Sequence, residues 1–453
     1  MTDGGVNASA KKLKRLANTV GACGKAKRLP TAMRLLRPPF VQCGYRVHLW
    51  FYLIRAIPMK KALSALALSC AAFASQAQTF DTCVAGLRQA ASAQGINAAT
   101  LDLAFKGLEP DETVLKSFDY QPEFRTPIWD YVAGLVDDER VADGQAKLKE
   151  WSKTLAEAEQ KYGMDRYTIV AVWGVESNFG RIQGTRELVR SLVTLVCANK
   201  RQAFFKGELF ATLKIAQSGD IPLQNLVGSW AGAFGQTQFM PTTYQRIAVD
   251  FDGDGKRDIV NSVPDALGST ANFLKLAGWV SGANWGYEVQ LPKGYAGPTG
   301  RTTRQPLAQF TKLGVKPIKP DQAVPSEATQ AALLLPAGPT GPAFIVFRNF
   351  DAIYSYNAAE SYALSIAHLA DRLRGGGRFS TPWPTDDAGT SRAERREVQQ
   401  RLADRGYDIG EIDGMIGAKS RLAISEFQTS IGIKPDGRAG QRVLQALRTA
   451  KPK

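Results

Sequence analysis

Apolar and polar positions recur at helical spacing along residues 78–165. Phe80 to Gln94 reads as an amphipathic helix, and Ile96-Asn97 leads into a second that runs through Phe105. Pro110-Asp111 opens another turn, and Arg125-Thr126-Pro127 reads as extended. Trp129, Tyr131 and Val132 then form an aromatic segment suited to a core or to a sugar-lined cleft. The run from Asp138 to Tyr162, rich in Ala, Lys, Glu and Leu, predicts one long helix. Apolar helices follow at 188–196 and 201–218. Between 284 and 350 the pattern shifts to short strand-like runs, Tyr287–Leu291 and Ala343–Phe347 among them, separated by Pro and Gly turns. Ser361 to Leu373 returns to helix, and 376–391 has the composition of a linker. In the tail, Ile412-Asp413-Gly414-Met415-Ile416-Gly417 is echoed by Pro435-Asp436-Gly437-Arg438-Ala439-Gly440. Each Asp-Gly-x-x-Gly turn precedes a helix, and with Ala393–Arg405 they predict a three-helix module over 392–449. The fold class is mainly α, with a small β region.

One stretch stands apart. As a helix, residues 169–179 place Ile169, Val172, Glu176 and Phe179 on one face, with Gly180 available to end the helix. A lone carboxylate on an apolar face is desolvated, so its pKa rises toward the range a general acid needs near neutral pH. The ordinary reading of a helical Glu is a solvated surface residue; the apolar neighbours argue against it.

Charge changes the picture less than its total suggests. The net charge is +15, but residues 1–77 hold 13 of the 57 Lys and Arg and a single acid, Asp3. The remainder is close to neutral, which excludes a nucleic-acid surface as the organising feature. Met59-Lys60-Lys61, the apolar run Ala62–Ala74 and Ser75-Gln76-Ala77 before Gln78 read as a signal peptide over 59–77. Residues 1–58 then read as a miscalled or disordered extension. Cys70 follows Leu68-Ser69, a poor lipobox, so a lipid anchor there is the minor reading and export to the periplasm the major one. Beyond the cut only Cys83 and Cys197 remain, either a disulfide or two separate buried thiols. His48 and His368 are the only histidines, so a Ser-His-Asp triad or a His-rich metal site is nearly excluded.

Two further segments carry chemistry. Gly228 to Pro241 interleaves small residues, Gln and aromatics, which suits either close packing of two helices or a glycan cleft. Asp250-Phe251-Asp252-Gly253-Asp254-Gly255-Lys256-Arg257-Asp258 places acids at positions one, three, five and nine of a calcium-loop pattern, with Gly at six. Lys256 would ligate through its carbonyl. Position twelve is Asn261 in place of Glu, and Asp265 is the acid that can close the site. An Asp/Gly turn with solvated carboxylates is the alternative.

Residues 80–375 resemble the lytic murein transglycosylases of the membrane-bound lytic transglycosylase B type. The resemblance rests on Glu176-Ser177-Asn178-Phe179-Gly180, Gly228–Pro241, Asp250–Asp265 and Tyr354–Tyr362. The tail resembles a small peptidoglycan-binding domain found beside many cell-wall enzymes. The resemblance implies a lysozyme-like catalytic core over 78–375, with a small β subdomain, that cleaves the MurNAc-β-1,4-GlcNAc bond without water and leaves a 1,6-anhydro end. It implies Glu176 as the catalytic acid and then base. Ser229, Gln238, Phe239, Tyr131, Tyr356, Asn357 and Tyr362 match cleft positions; Asp250, Asp252, Asp254, Lys256 and Asp265 match the calcium loop, Asp265 displaced by one residue. It also implies no cofactor for the chemistry, a structural Ca2+, a monomer, peptidoglycan glycan strands as partner and cell-wall synthesis proteins as further ones. The competing functions are a lysozyme-type hydrolase and a non-catalytic wall-binding protein.

Overall fold

Small residues and apolar stripes resolve into helices wherever capping groups stand at the right spacing. The computed structural model describes residues 79–118 and 126–450. The signal peptide, the extension before it and Cys70 lie outside them. Helices α1 (Phe80–Ala93), α2 (Ala98–Ala104) and α3 (Glu112–Phe118) begin the chain. The side chains of Thr79 and Asn97 accept from the third helical N–H of α1 and α2, supplying partners that the helix cannot. α4 (Ile128–Leu135) carries the aromatic segment. The single long helix expected over 138–162 is two, α5 (Asp138–Glu150) and α6 (Ser152–Tyr162). Trp151 interrupts them: it leaves helical geometry, caps α5 through its N–H, and packs its ring on the central core. Helical propensity on both sides hides a break that tertiary packing imposes.

Helix α7 (Arg166–Ser177) is the centre of the molecule. Thr168 through Gly174 are all buried, so it is apolar around its whole circumference, as an interior helix must be. α8 (Leu188–Cys197) and α9 (Gln202–Ser218) pack together beside α1. Cys83 of α1 and Cys197 at the end of α8 are joined as a disulfide. α10 (Pro241–Ile247) and α11 (Val263–Leu276) bracket the acidic loop, and α13 (Arg348–Tyr354) and α14 (Glu360–Leu373) follow further along the chain. α7 packs against α5, α11 and α14.

Strands β1 (Arg186–Glu187) and β2 (Val227–Gly228) form a small antiparallel ladder, Arg186 opposite Gly228. The other strands are β3 (Gly286–Gln290), β4 (Gln305–Pro306), β5 (Lys316–Pro317), β6 (Gln330–Leu334) and β7 (Ala343–Val346). They pair antiparallel in the order β4-β6-β7-β3-β5. Phe344 and Val346 of β7 join the central core, whereas Ala343 and Ile345 face a second cluster with Leu307 and Phe310 of α12 (Leu307–Lys312). Both faces of the sheet are therefore covered, which is why β7 is continuously apolar and not alternating.

The tail forms α15 (Arg392–Ala403), α16 (Ala418–Ser430) and α17 (Gln441–Thr449) around Val398, Leu402, Ile424, Phe427 and Leu444. Gln399 and Gln428 fix its paired turns: their side-chain oxygens accept from the N–H of Gly414 at 2.7 Å and of Gly437 at 2.9 Å. Among the described residues, no helix is long and apolar enough to cross a membrane.

Candidate active site

The carboxylate sits at the C-terminal end of α7, where the chain turns sharply out of the core. The helix stops at Ser177, earlier than the sequence suggested, and Phe179 is not on its face. Asn178, Phe179 and Gly180 all take positive φ, 51°, 60° and 82°. The Asn amide tolerates that region and Gly is free in it, but Phe179 stores strain, roughly 1–2 kcal/mol. Phe179 folds back to meet Trp173 edge-on, centroids 5.7 Å apart. Gly174 permits this: a Cβ there would lie 2.7 Å from the Phe179 ring. The turn is locked by Ser177, whose buried hydroxyl donates to the Gln236 carbonyl and accepts from the Gly180 N–H at 2.8 Å. Gln236 in turn accepts from the Trp173 indole N–H at 3.1 Å.

Gln236 lies in Gly228–Pro241, which between the end of β2 and the start of α10 is a looped segment held by two isolated bridges, Gly228–Phe234 and Phe234–Phe239. Its amides run into the acidic loop: Gln236 donates through its backbone N–H to the Ile259 carbonyl at 2.9 Å and through its side chain to that of Val260 at 3.3 Å. Ser229 accepts from the Ala233 N–H at 3.1 Å and so shapes the first turn of the segment. Gln238, at φ 51°, commits its side-chain N–H groups to the Gly235 and Gln183 carbonyls at 2.8 and 2.9 Å; its oxygen is left to accept. Phe239 is buried against Tyr356.

Above Glu176 stands an aromatic wall. Tyr362, on the first turn of α14, is 2 % exposed and donates its phenol O–H to Glu176. Tyr356 stacks on Tyr362 with centroids 6.3 Å apart and donates to the Thr237 carbonyl at 2.6 Å. Tyr131, on α4, is close enough to raise the pKa of Tyr362. Asn357 is exposed in the turn before α14 and is not drawn into this network.

Glu176 is half-buried, and its carboxyl accepts from the Tyr362 phenol. Burial pushes its pKa up to about 7, and the hydrogen bond from Tyr362 partly opposes that rise. A nearby second carboxylate would add a like-charge push; burial and Tyr362 are the influences here. Both phenols are held well above their ordinary range, first by burial and then by the Glu176 charge. Glu187 is an exposed residue of β1, paired through its backbone with Val227. His368 is buried on α14 against Phe379 and plays no part at Glu176.

The acidic loop converges as well. One oxygen from each of Asp250, Asp252 and Asp254 lies within 4.8 Å of the others. Gly253 and Gly255, at φ 80° and 87°, turn their N–H groups onto Asp250 at 2.7 and 2.9 Å. Three converging carboxylates repel unless a cation joins them, and an all-oxygen set suits Ca2+. Lys256 is exposed, and its N–H donates to Asp254 at 2.8 Å. Asp265 lies outside the group formed by those three carboxylates. Fully buried at the start of α11, it accepts from the Phe251 and Asp258 N–H groups, both at 2.7 Å, and so braces the loop from beneath.

The family model for the transglycosylase SLT domain matches residues 79–371, most of the chain. This chain belongs to the SLT transglycosylase family. A second model, for a peptidoglycan binding domain, matches residues 391–447. The membrane-bound lytic murein transglycosylase B of Escherichia coli is 34% identical over 246 residues, 54% of this chain and 66% of that protein. SltB3 from Pseudomonas aeruginosa, solved in complex with NAG-anhNAM-pentapeptide, is 46% identical and superposes with a TM-score of 0.66 over 82% of this chain and 100% of its own. E. coli Slt35, solved in complex with calcium, is 29% identical, TM-score 0.57, over 64% of this chain and 92% of its own.

Within this SLT transglycosylase domain, Ser177 and Gln236 are working residues that sequence reasoning passed over. The alternation Gln236-Thr237-Gln238 was the available signal. Gln236 accepts from Trp173 of α7, whereas Gln238, at φ 51°, turns its amide to the Gln183 and Gly235 carbonyls.

Proposed function

We propose that this chain is a lytic transglycosylase that cleaves the MurNAc-β-1,4-GlcNAc bond of peptidoglycan without water and leaves 1,6-anhydro-MurNAc ends, in cell-wall remodelling and turnover. The observation that carries this reading is a solitary buried carboxyl, with a pKa of about 7, under a tyrosine wall. An ordinary glycosidase divides acid and nucleophile, or acid and base, between two carboxyl groups. With one, the substrate must supply the rest. Protonated Glu176 donates its proton to the glycosidic oxygen as the bond to the anomeric carbon breaks. The 2-acetamido group of the same sugar stabilises the cation-like carbon, as in substrate-assisted glycosidases. Glu176, now a carboxylate, takes the proton of the C6 hydroxyl, whose oxygen bonds to the anomeric carbon. Glu176 ends protonated as it began, and no water is consumed. A pKa near 7 lets one group fill both roles, and Tyr362 steadies the carboxylate midway by donating to it.

Ser229, Gln238, Phe239, Tyr131, Tyr356 and Tyr362 would line the glycan cleft, with Asn357 at its rim. A structural Ca2+ would be held by Asp250, Asp252, Asp254 and the Lys256 carbonyl; it supplies charge neutralisation to the loop and no step of the reaction. The tail would bind the wall, and the protein would act in the periplasm as a monomer, on glycan strands and alongside wall-synthesis proteins. Digestion of purified sacculi by wild type and by Glu176→Gln tests the reading. Release of soluble muropeptides should fall by several orders of magnitude in the variant; equal release would reject Glu176 as the reacting group, and no release by wild type would leave a wall-binding protein.

A further inference from the structure

The wall-binding module does more than follow a linker: it is bolted to the two elements that shape the site. Arg438, in its second Asp-Gly turn, forms a two-point ion pair with Asp130 of α4, next to Tyr131, and also reaches Asp387 of the linker. Gly389 of the linker lies so close to α4 that a Cβ would meet the Trp129 carbonyl at 2.9 Å. At the other end Arg392 opens α15. Its backbone N–H donates to Asp137 at 3.2 Å, and its Nη1 donates to Oδ1 of Asn178 at 2.6 Å. Asn178 is the left-handed cap of α7, two residues beyond Glu176.

The setting of Arg392 makes that bond unusual. Its side chain is 9 % exposed and lies 3.7–3.8 Å from carboxylate oxygens of Asp137, Glu139 and Asp143. Its Nε and Nη2 are buried without hydrogen-bond partners. Arg140 and Arg395 crowd the same place, Arg140 held down to about 10 mainly by burial and then by Arg392. A buried guanidinium in such a nest is costly for stability alone. The three carboxylates keep it in the interior, and its geometry is directed at one acceptor on the catalytic turn. The charge also faces the negative end of α7.

We propose that Arg392 is a positioning residue for catalysis, through which the docked wall-binding module holds the Asn178 cap and with it the register of Glu176 beneath Tyr362. This rests on the reading of Glu176 as the reacting group. The module thus completes the catalytic domain instead of only concentrating it on the wall. Arg438 and the linker keep the module docked when Arg392 is removed, so the local contact can be tested in the full chain.

The experiment compares wild type, Arg392→Ala, Arg392→Lys, Asn178→Gly and the double variant Arg392→Ala/Asn178→Gly. Glycine at 178 retains the left-handed backbone while removing the acceptor. Substrate is a short soluble uncrosslinked glycan fragment, on which wall anchoring gives no advantage; sacculus pull-down and thermal melting run alongside. Arg392→Ala and Asn178→Gly should each lose about tenfold in kcat with KM and sacculus binding little changed. The pH optimum should move to lower pH as the loosened turn admits water to Glu176, Lys should restore part of the rate, and the double variant should be no slower than either single. Unchanged kcat on the fragment, a loss confined to sacculi or to KM, or losses that multiply in the double variant would overturn the proposal. Should Arg392→Ala melt below the assay temperature, Asn178→Gly decides alone on the same readouts. Failure of the underlying reading would show separately, as full activity in Glu176→Gln.

Discussion

Burial raises the pKa of Glu176 to about 7, and that has a stability consequence distinct from the catalytic role proposed for it. Its pKa is about 7 in the fold against an ordinary 4.5, so the folded state keeps a proton over the window between them that the unfolded chain releases. Wild type therefore loses stability as pH rises through that window, by at most about 3 kcal/mol. Glu176→Gln escapes the penalty: it should melt with wild type at pH 4 and well above it at pH 8, and a constant difference at both would contradict the buried-acid account. Tyr362 acts in the other direction, since its hydrogen bond lowers the Glu176 pKa. Tyr362→Phe should cut kcat on the order of ten- to a hundredfold and move the pH optimum upward, read from a rate profile on soluble fragments. Glu176 was legible in the sequence because an apolar run surrounds it. Its hydrogen bond to Tyr362 was not, because it joins residues 186 apart and no local pattern records such a pairing.

At the scale of elements, the site is the meeting of α7 with an irregular loop, and glycine decides how close they come. Gly174→Ala would push a methyl group to 2.7 Å from the Phe179 ring. It should lower stability by about 1–3 kcal/mol and, by displacing the strained turn, cost activity beyond what the melting shift explains. Gln236 ties the end of the acidic loop to the same turn, since the Ile259 and Val260 carbonyls accept from its amides. If Ca2+ neutralises Asp250, Asp252 and Asp254, adding it should raise the melting temperature, a chelator should reverse the rise, and Asp252→Ala should be insensitive to both. A melting temperature indifferent to Ca2+ in wild type would remove the metal. The spacing of the three acids was plain in the sequence. The backbone N–H groups that Asp265 accepts could not be read, because a buried carboxylate of that kind looks, in sequence, like any other loop acid. The same limit explains Trp151, which ends a helix for reasons of packing that flanking Ala, Lys and Glu do not betray.

Across the whole molecule, a helical core, a covered antiparallel sheet and a docked three-helix module build one setting for one carboxyl. The Cys83–Cys197 disulfide links the first helix to the end of α8 across 114 residues. Its loss through Cys83→Ala/Cys197→Ala should cost about 2–5 kcal/mol, seen as an earlier denaturant midpoint with Glu176 chemistry intact below it. The paired turns of the tail and the small β region could be read from hydropathy and turn residues. The grip of Arg392 on Asn178 and of Arg438 on Asp130 could not, since contacts between modules leave no periodic trace in either. The central claim is that Glu176 works without a second carboxylate and without water. It is tested most directly by digesting sacculi in water enriched in 18O and weighing the released muropeptides. The account predicts 1,6-anhydro ends that carry no 18O; reducing ends bearing one 18O atom would contradict it.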